Sequence, residues 1–233
     1  VTTEREREEL IRAMGVDFIY YFKFDKDFAQ LEPSTFLEKI QTTLNPQMIM
    51  VGPNHHFGRN QQGNIKFLKL LGRKFKIAVR IVRSKVIGGI KVSSTGIREA
   101  LILGNVTLAN RMLGYKYMIQ GTVIKGVGRG RHLGFPTINI KLKSGDSIDS
   151  EHKLVPLDGV YITKVALKDN IIPGVMSIGR RPTFEESFSC EERWLEIHLL
   201  DFNKEIYGVD VKISFLKRLR PIRRFRDSKA LIE

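Results

Sequence analysis

The sequence predicts two modules of different architecture, an α/β module at the N-terminal end and an all-β barrel at the C-terminal end. Up to about residue 104, segments with helical spacing of apolar residues alternate with short, continuously apolar strands. This alternation is typical of a parallel sheet that helices cover on both faces. From about residue 115 onward, short strand-like runs follow one another between glycine, proline and Asp-Asn turns. The second pattern is typical of a small antiparallel barrel.

The elements of the N-terminal module follow in chain order. Residues 4–14 have the apolar spacing of a helix, and Gly15 ends it. The β-branched and aromatic run 16–22 predicts a buried strand. Pro33 suits the first position of a helix that runs to about residue 44. Further strands are predicted at 48–52 and 77–82, and further helices at 64–75, 96–103 and 105–113.

The C-terminal module is predicted to contain six strands joined by turns. They are expected at 117–125, 137–141, 160–167, 174–178, 194–200 and 209–216. The last residues, 227–233, predict the beginning of another helix.

Composition narrows the class of protein before any motif is considered. Hydrophobic residues make up 42% and charged residues 27% of the chain, which suits a soluble globular protein. No apolar run approaches the roughly 18 residues of a membrane-spanning helix, and the polar N-terminus has no secretory pattern. The single cysteine, Cys190, excludes an intrachain disulfide and predicts a cytoplasmic protein. The formal net charge of +14 favours polyanionic partners such as nucleic acid or ATP.

The segment 125–139 combines glycines with positive charge. Its glycines let the backbone approach a ligand closely and turn N–H groups toward a phosphate chain. The candidate phosphate-binding residues are Lys125, Gly126, Gly128, Arg131 and Gly134. The segment fits neither the Walker pattern nor the GxGxxG fingerprint. From these residues alone, a plain hairpin is an open alternative.

The run GRGRHLGFPTINI, residues 128–140, closely resembles the G-x-x-x-G-F/I-P-T-x-N signature of riboflavin kinases. Further segments agree with that family in the same order, at 159–161, 174–179, 181–184, 196–202, 206–208 and 215–220. Several short motifs in one order are more specific than any one of them. The resemblance implies a riboflavin kinase-like, six-stranded antiparallel barrel over residues 115–233.

In some bacteria, one bifunctional family of enzymes joins a riboflavin kinase module to an FAD synthetase module. The N-terminal module resembles the FAD synthetase module of that family. The segments VGPNHHFGR (51–59) and VSSTGIR (92–98) carry this resemblance, with His55 and Gly96 as departures from the family pattern. It implies a nucleotidyltransferase-like, Rossmann-like α/β fold. The family's first strand and its HxGH-type nucleotide motif should precede residue 1, so we expect this module to be incomplete. The predicted boundaries are 1–104 for this module, 105–114 for a linker helix and 115–233 for the kinase module.

Strand alternation groups the candidate catalytic residues, and the resemblance gives them roles. Thr137 and Asn139 lie two apart and share a strand face, as do Trp194, Glu196 and His198. From the residues alone, Glu196 is an ordinary solvent-facing carboxylate. The resemblance implies instead that Glu196 is the general base. It also implies that Thr137 and Asn139 hold Mg²⁺ and ATP phosphates, and that Pro136 fixes the entry of their strand.

The resemblance also implies binding residues in the N-terminal module. Arg98, with Ser93 and Ser94 at a helix N-terminus, would hold the ATP triphosphate for adenylyl transfer. A capped surface helix is the alternative at this position. Asn54 and Phe57 would help to hold a flavin or a nucleotide.

The sequence therefore predicts a riboflavin kinase, joined to an FMN adenylyltransferase that makes FAD and pyrophosphate. The expected ligands are riboflavin, FMN, ATP and Mg²⁺, with no membrane partner. One alternative is a fragment that binds flavin and nucleotide without turnover. The other is a nucleic-acid-binding protein, suggested by the basic run 217–226.

We expect the 233-residue polypeptide to convert riboflavin to FMN while forming little or no FAD, because it lacks the HxGH-type histidines that would stabilise adenylyl transfer. Incubation with riboflavin, ATP and Mg²⁺, followed by chromatographic separation of the flavins, measures both products. Robust FAD formation would show that the adenylyl-transfer site has been misplaced.

Overall fold

A computed structural model describes residues 1–126, 135–142, 153–180 and 193–223. Its helices are α1 (Glu4–Ala13), α2 (Lys26–Ala29), α3 (Pro33–Leu44), α4 (Ile65–Lys74), α5 (Ser94–Ile102) and α6 (Val106–Leu113). The first strands are β1 (Met48–Val51), β2 (Ala78–Ile81), β3 (Val86–Ile87), β4 (Ile90–Lys91) and β5 (Met118–Ile124). The remaining strands are β6 (Thr137–Leu142), β7 (Gly159–Leu167), β8 (Asn170–Arg180), β9 (Arg193–Leu199) and β10 (Asp210–Arg220).

Contacts along the chain define two compact units. We call them the barrel unit, which comprises Val1–Glu9 and Val92–Glu233, and the α/β unit, which comprises Leu10–Lys91. The predicted module boundaries at 104 and 114 stay a prediction, because a functional module is defined by its activity and a compact unit by its contacts.

The barrel unit contains a closed barrel with the strand order β10-β5-β6-β9-β8-β7. All of its neighbouring strands are antiparallel, which confirms the predicted barrel. Closure leaves no unpaired strand edge. The barrel interior is apolar, and its largest fully buried side chains include Tyr161, Phe215, Met176, Ile197 and Ile213.

Helices α5 and α6 belong to the barrel unit and pack on its core. Leu101, Val106 and Ala109 are fully buried in the same cluster as the barrel residues. The buried Asn110 amide joins α6 to two strand-like segments, since it donates to the Phe215 carbonyl and accepts from the Tyr117 N–H. Helix α6 ends at Gly114 in a left-handed conformation, with φ of 80°.

The first residues of the chain are tied to the barrel unit by a buried ion pair. The side chains of Glu6 and Lys153 are 4% and 6% exposed, and their charged groups are in direct contact. The Lys153 ammonium also donates to the Val1 carbonyl at 2.7 Å and lies 4.7 Å from the centre of the Tyr117 ring. Burial lowers the pKa of Lys153, and the Glu6 carboxylate opposes that shift. The pair therefore compensates two charges that would be costly to bury alone.

The irregular segment 153–158 is held by side chains of the barrel unit. The hydroxyls of Tyr117 and Tyr161 donate to the carbonyls of Leu154 and Leu157. The Arg193 guanidinium, at the start of β9, donates to the Val155 carbonyl and pairs with a carboxylate oxygen of Asp158 at 3.2 Å. Side chains thus satisfy backbone groups that no strand partner reaches.

The α/β unit contains helices α2, α3 and α4 with a two-stranded parallel sheet of β1 and β2. Helix α3 begins at Pro33, as predicted, and α4 is capped by the Asn64 side chain, which accepts from the Phe67 N–H. The core of this unit consists of Leu37, Phe57, Leu68 and Leu71.

Two expectations for the α/β unit are wrong. The stretch 16–22 forms no strand, and Phe18 is 90% exposed, because no described strand offers its backbone a hydrogen-bonding partner. Strands β1 and β2 are not covered on both faces, since exposed and half-buried residues alternate along each of them. The short β3–β4 hairpin was not predicted, although Gly88 and Gly89 allow its turn with positive φ angles of 58° and 79°. The helix predicted at 227–233 lies outside the described residues.

We expect Glu6→Gln to lower the free energy of unfolding of the barrel unit by about 3–5 kcal/mol, because it leaves Lys153 buried without its counter-ion. Glu9→Gln is the matched control. Glu9 pairs with Lys212 at 3.0 Å but is 42% exposed, so its loss should cost less than about 1 kcal/mol. Urea unfolding can be followed through Trp194, the only tryptophan, which lies on β9. Equal midpoints for the two variants would contradict the stabilising role of the buried pair.

Candidate active site

The pairing of β6 with β9 brings the predicted catalytic residues together on the outside of the barrel. Thr137 lies opposite His198, and Asn139 lies opposite Glu196. Ile138 and Ile197 form the pair between them, and Ile197 is fully buried in the core. Because side chains alternate between the two faces of a sheet, the flanking pairs share the outer face.

Hydrogen bonds hold both carboxylate oxygens of Glu196. The Thr137 hydroxyl donates to Oε1, and the Trp194 indole N–H donates to Oε2 at 3.3 Å. An ionised carboxylate oxygen can accept more than one hydrogen bond, so each oxygen keeps a lone pair available. The two hydrogen bonds orient this half-exposed carboxylate without blocking it.

Asn139 is 4% exposed, and its Oδ1 has no hydrogen-bond partner among the described residues. A buried amide oxygen is normally satisfied, so this one is an exception that requires an explanation. Gly126 packs directly against this amide, and a Cβ built on Gly126 would lie 1.6 Å from Nδ2 of Asn139. Only glycine leaves room for the Asn139 side chain here.

Some of the other candidate phosphate-binding residues lie beside Asn139. Ile124, the last residue of β5, lies opposite Asn139, so the following Lys125 and Gly126 are beside the site. Lys125 and Pro136 are both exposed. Gly128, Arg131 and Gly134 lie outside the described residues.

Helix α5 carries the predicted triphosphate-binding residues. The Ser93 hydroxyl caps the helix by accepting from the Gly96 N–H at 3.1 Å, as the capping alternative predicted. Ser94 and Arg98 are exposed. Their role in binding stays a prediction.

The α/β unit contains the two remaining candidates. Phe57 is 7% exposed and packs on Phe36 and His55, so its ring belongs to the core of that unit. Asn54 is exposed, and its carbonyl accepts a hydrogen bond from the His56 ring at 3.0 Å. Burial and the neighbouring His56 lower the pKa of His55.

Two contacts of the site were not predicted in detail. Alternation along β9 placed Trp194 and His198 on the face of Glu196, but it did not show that Trp194 contacts the carboxylate. It did not show either that Nδ1 of His198 lies 2.9 Å from the Pro136 carbonyl. The spacing of two residues was the only signal in the sequence for either contact.

The described ranges contain neither a helix that could span a membrane nor a cluster of potential metal ligands. Across residues 1–126, 135–142, 153–180 and 193–223, no helix is both long enough and apolar enough to cross a bilayer. The same residues contain no group of three or more His, Cys, Asp or Glu side chains arranged to hold a metal ion.

Family models match both ends of the chain. A model described as riboflavin kinase matches residues 113–233, and a model described as FAD synthetase matches residues 1–96. The first of these matches covers the barrel strands, including the β6–β9 pair that carries Thr137, Asn139 and Glu196.

Individual proteins resemble the entire chain. A bifunctional riboflavin kinase/FMN adenylyltransferase from Bacillus subtilis is 36% identical over 100% of this chain and 71% of its own length. One from Haemophilus influenzae is 36% identical over 93% of this chain and 67% of its own. A solved structure from Streptococcus pneumoniae, described as a macrolide-efflux protein, is 31% identical with a TM-score of 0.86. It matches over 99% of this chain and 71% of that protein.

The barrel fold, the family models and these relatives define a flavin-phosphorylating transferase. The chain belongs to the family of bifunctional riboflavin kinase/FMN adenylyltransferases, whose substrates are riboflavin, FMN and ATP. The prediction that adenylyl transfer is impaired in this polypeptide is not tested by these comparisons.

We expect Gly126→Ala to displace the Asn139 side chain and to lower riboflavin kinase activity, because the new methyl group overlaps the amide. Gly52→Ala is the control, since its Cβ would meet no atom within 4 Å and its φ is not positive. Activity should be measured with Mg·ATP and riboflavin, alongside circular dichroism to check the fold. Wild-type activity in Gly126→Ala would show that the position of Asn139 does not matter for the reaction.

Proposed function

We propose that the outer face of β6 and β9 transfers the γ-phosphoryl group of ATP to riboflavin, with Glu196 as the general base. The observation that carries this proposal is the β6–β9 register. It gathers Thr137, Asn139 and Glu196 on one face, and Thr137 donates a hydrogen bond to the carboxylate. A positioned carboxylate within reach of a substrate hydroxyl is the usual arrangement for proton abstraction.

The reaction proceeds in line. Glu196 accepts the proton of the terminal ribityl hydroxyl while the oxygen of that hydroxyl attacks the γ-phosphorus of ATP. A new P–O bond forms to the flavin, and the bond to the β-phosphate oxygen breaks, which leaves FMN and ADP. Little covalent chemistry is required of the protein, so positioning of the two substrates contributes most of the rate increase. Trp194 supports this step by holding Oε2 of Glu196, which keeps the carboxylate in one orientation.

The donor set suits a magnesium ion bound with ATP. The Oδ1 of Asn139, which lacks a partner within the described ranges, and the hydroxyl of Thr137 are hard oxygen ligands on one face. Mg²⁺ prefers such ligands and uses few of them when phosphate oxygens complete its shell. When bound, Mg²⁺ neutralises charge on the transferring phosphoryl group. Lys125 and the Gly126 backbone would approach the phosphate chain, together with Gly128, Arg131 and Gly134. Pro136 would fix the strand that carries Thr137.

The second activity of the family is assigned here to the N-terminal residues 1–104, with 105–114 as a linker and 115–233 as the kinase module. Arg98 and Ser94 would contact the ATP triphosphate at the N-terminus of α5, with Ser93 serving as its cap. Asn54 and Phe57 would support flavin or nucleotide binding. The ring of Phe57 is buried, so Phe57 would act from the core of the α/β unit. The ATP requirement and the single cysteine favour a cytoplasmic setting.

We expect Glu196→Gln to lower kcat of the kinase by roughly 10²–10⁴-fold, the usual contribution of a general base. Binding of flavin and Mg·ATP should be nearly unchanged, because the amide is close to the carboxylate in shape. Glu99→Gln, on the exposed surface of α5, is the matched control. Steady-state kinetics with both substrates decide the matter, and near wild-type kcat in Glu196→Gln would remove Glu196 from the mechanism.

We expect Thr137→Val and Asn139→Ala each to raise the concentration of Mg·ATP needed for half-maximal activity. Each change removes one proposed oxygen ligand, and Thr137→Val keeps the shape of a good strand residue. Thr163→Val is a control for loss of a strand hydroxyl, because Thr163 is buried and donates to the Gly174 carbonyl elsewhere in the barrel. A wild-type Mg·ATP titration for either ligand variant would overturn its assignment.

A further inference from the structure

The His198 side chain makes a backbone contact that the proposed mechanism does not use. Its Nδ1 lies 2.9 Å from the carbonyl oxygen of Pro136, across the β6–β9 pair. The His198 imidazole packs edge-to-face against the Phe135 ring, and the two ring centres are 5.6 Å apart. His198 is half-buried, and its backbone lies opposite Thr137 and Val175 on the neighbouring strands.

The partner atom fixes which ring nitrogen of His198 carries a proton. A carbonyl oxygen only accepts hydrogen bonds, so Nδ1 must be the donor. The hydrogen bond therefore selects the Nδ1–H form of the ring and sets its orientation.

The accepting carbonyl belongs to the peptide group that joins Pro136 to Thr137. A peptide group is planar, so a bond that orients its carbonyl also orients the backbone at Thr137. Strand β9 consequently holds Thr137 at two points. Glu196 accepts from the Thr137 hydroxyl, and His198 donates to the peptide that precedes it.

We propose that His198 is a positioning residue for phosphoryl transfer, which holds the Pro136–Thr137 peptide so that the Thr137 hydroxyl faces Glu196 and the phosphate chain. This inference rests on the proposed function, because it gives His198 its effect through Thr137. Phe135 contributes by packing against the imidazole ring and restricting its rotation.

Variants at position 198 separate the donor from the bulk of the ring. H198L removes the donor, while H198N keeps an amide nitrogen bonded to Cγ, where Nδ1 is bonded in histidine. H198Q places its amide one bond further out and is the matched control for H198N. We expect H198L and H198Q to lower kcat/KM for Mg·ATP by roughly 10–100-fold and to leave KM for riboflavin unchanged. H198N should keep most of the wild-type kcat/KM for Mg·ATP, because it keeps the donor.

A double variant shows whether His198 acts through Thr137. We expect T137V/H198L to be no slower than T137V alone, because the second change has nothing left to position. Additive losses, or wild-type kinetics in both H198L and H198Q, would overturn the role of His198 and leave the proposed function standing. Wild-type kinetics in T137V would overturn the proposed role of Thr137 and the positioning role with it. If H198L fails to fold, as judged by Trp194 fluorescence, the comparison of H198N with H198Q decides.

The hydrogen bond itself can be tested without any activity. Nitrogen-15 spectra of the histidine rings distinguish a protonated nitrogen from an unprotonated one, and the signal of His198 among the five histidines is the one that disappears in H198N. We expect the neutral form of the His198 ring to carry its proton on Nδ1, because Nδ1 faces the Pro136 carbonyl. The opposite tautomer would overturn the inference, whatever the kinetics show.

Discussion

The register between β6 and β9 is the constraint on which the candidate site depends. These strands are distant in sequence, and a slip of one residue would turn every side chain to the opposite face. The apolar residues Ile140, Leu195 and Ile197 prevent such a slip, because each is buried on the inner face. The core thereby fixes the outer face as well. Thr137 and Glu196 are in contact because burial of the adjacent apolar side chains inside the barrel fixes the register of the two strands.

Polar groups in the barrel unit contrast in how they are satisfied. The buried Asn110 amide uses both its donor and its acceptor to join α6 to the barrel, as a structural residue does. The buried Asn139 amide has no partner for its oxygen among the residues that the structure describes. An open acceptor lowers stability unless a ligand completes it. The proposed binding of metal and phosphate would supply that partner to Asn139.

Local patterns predicted most of the fold. The helices and barrel strands have strong periodicity and clear caps, such as Ser93 before α5 and Gly114 after α6. The strand predicted at 16–22 failed because β-propensity describes a segment, whereas a strand also requires a partner. The shared face of Thr137 and Asn139 followed from their spacing of two. The contact of Trp194 with Glu196 did not, since it depends on the side-chain conformations of two residues on one strand. The contact of His198 with Pro136 did not either, since it depends on the pairing of β9 with β6, which sequence spacing does not specify.

The buried contact between Glu6 and Lys153 bears on how such enzymes can be divided and recombined. The riboflavin kinase model begins at residue 113, yet the carboxylate that neutralises Lys153 lies near the start of the chain. A gene segment cut at that boundary would keep Lys153 and lose the carboxylate that pairs with it. A stand-alone kinase derived from this chain would lose both the Glu6 carboxylate and the Val1 carbonyl that contact the Lys153 ammonium. In this chain, residues at the start of the sequence are therefore tied by an ion pair to the unit that contains the barrel.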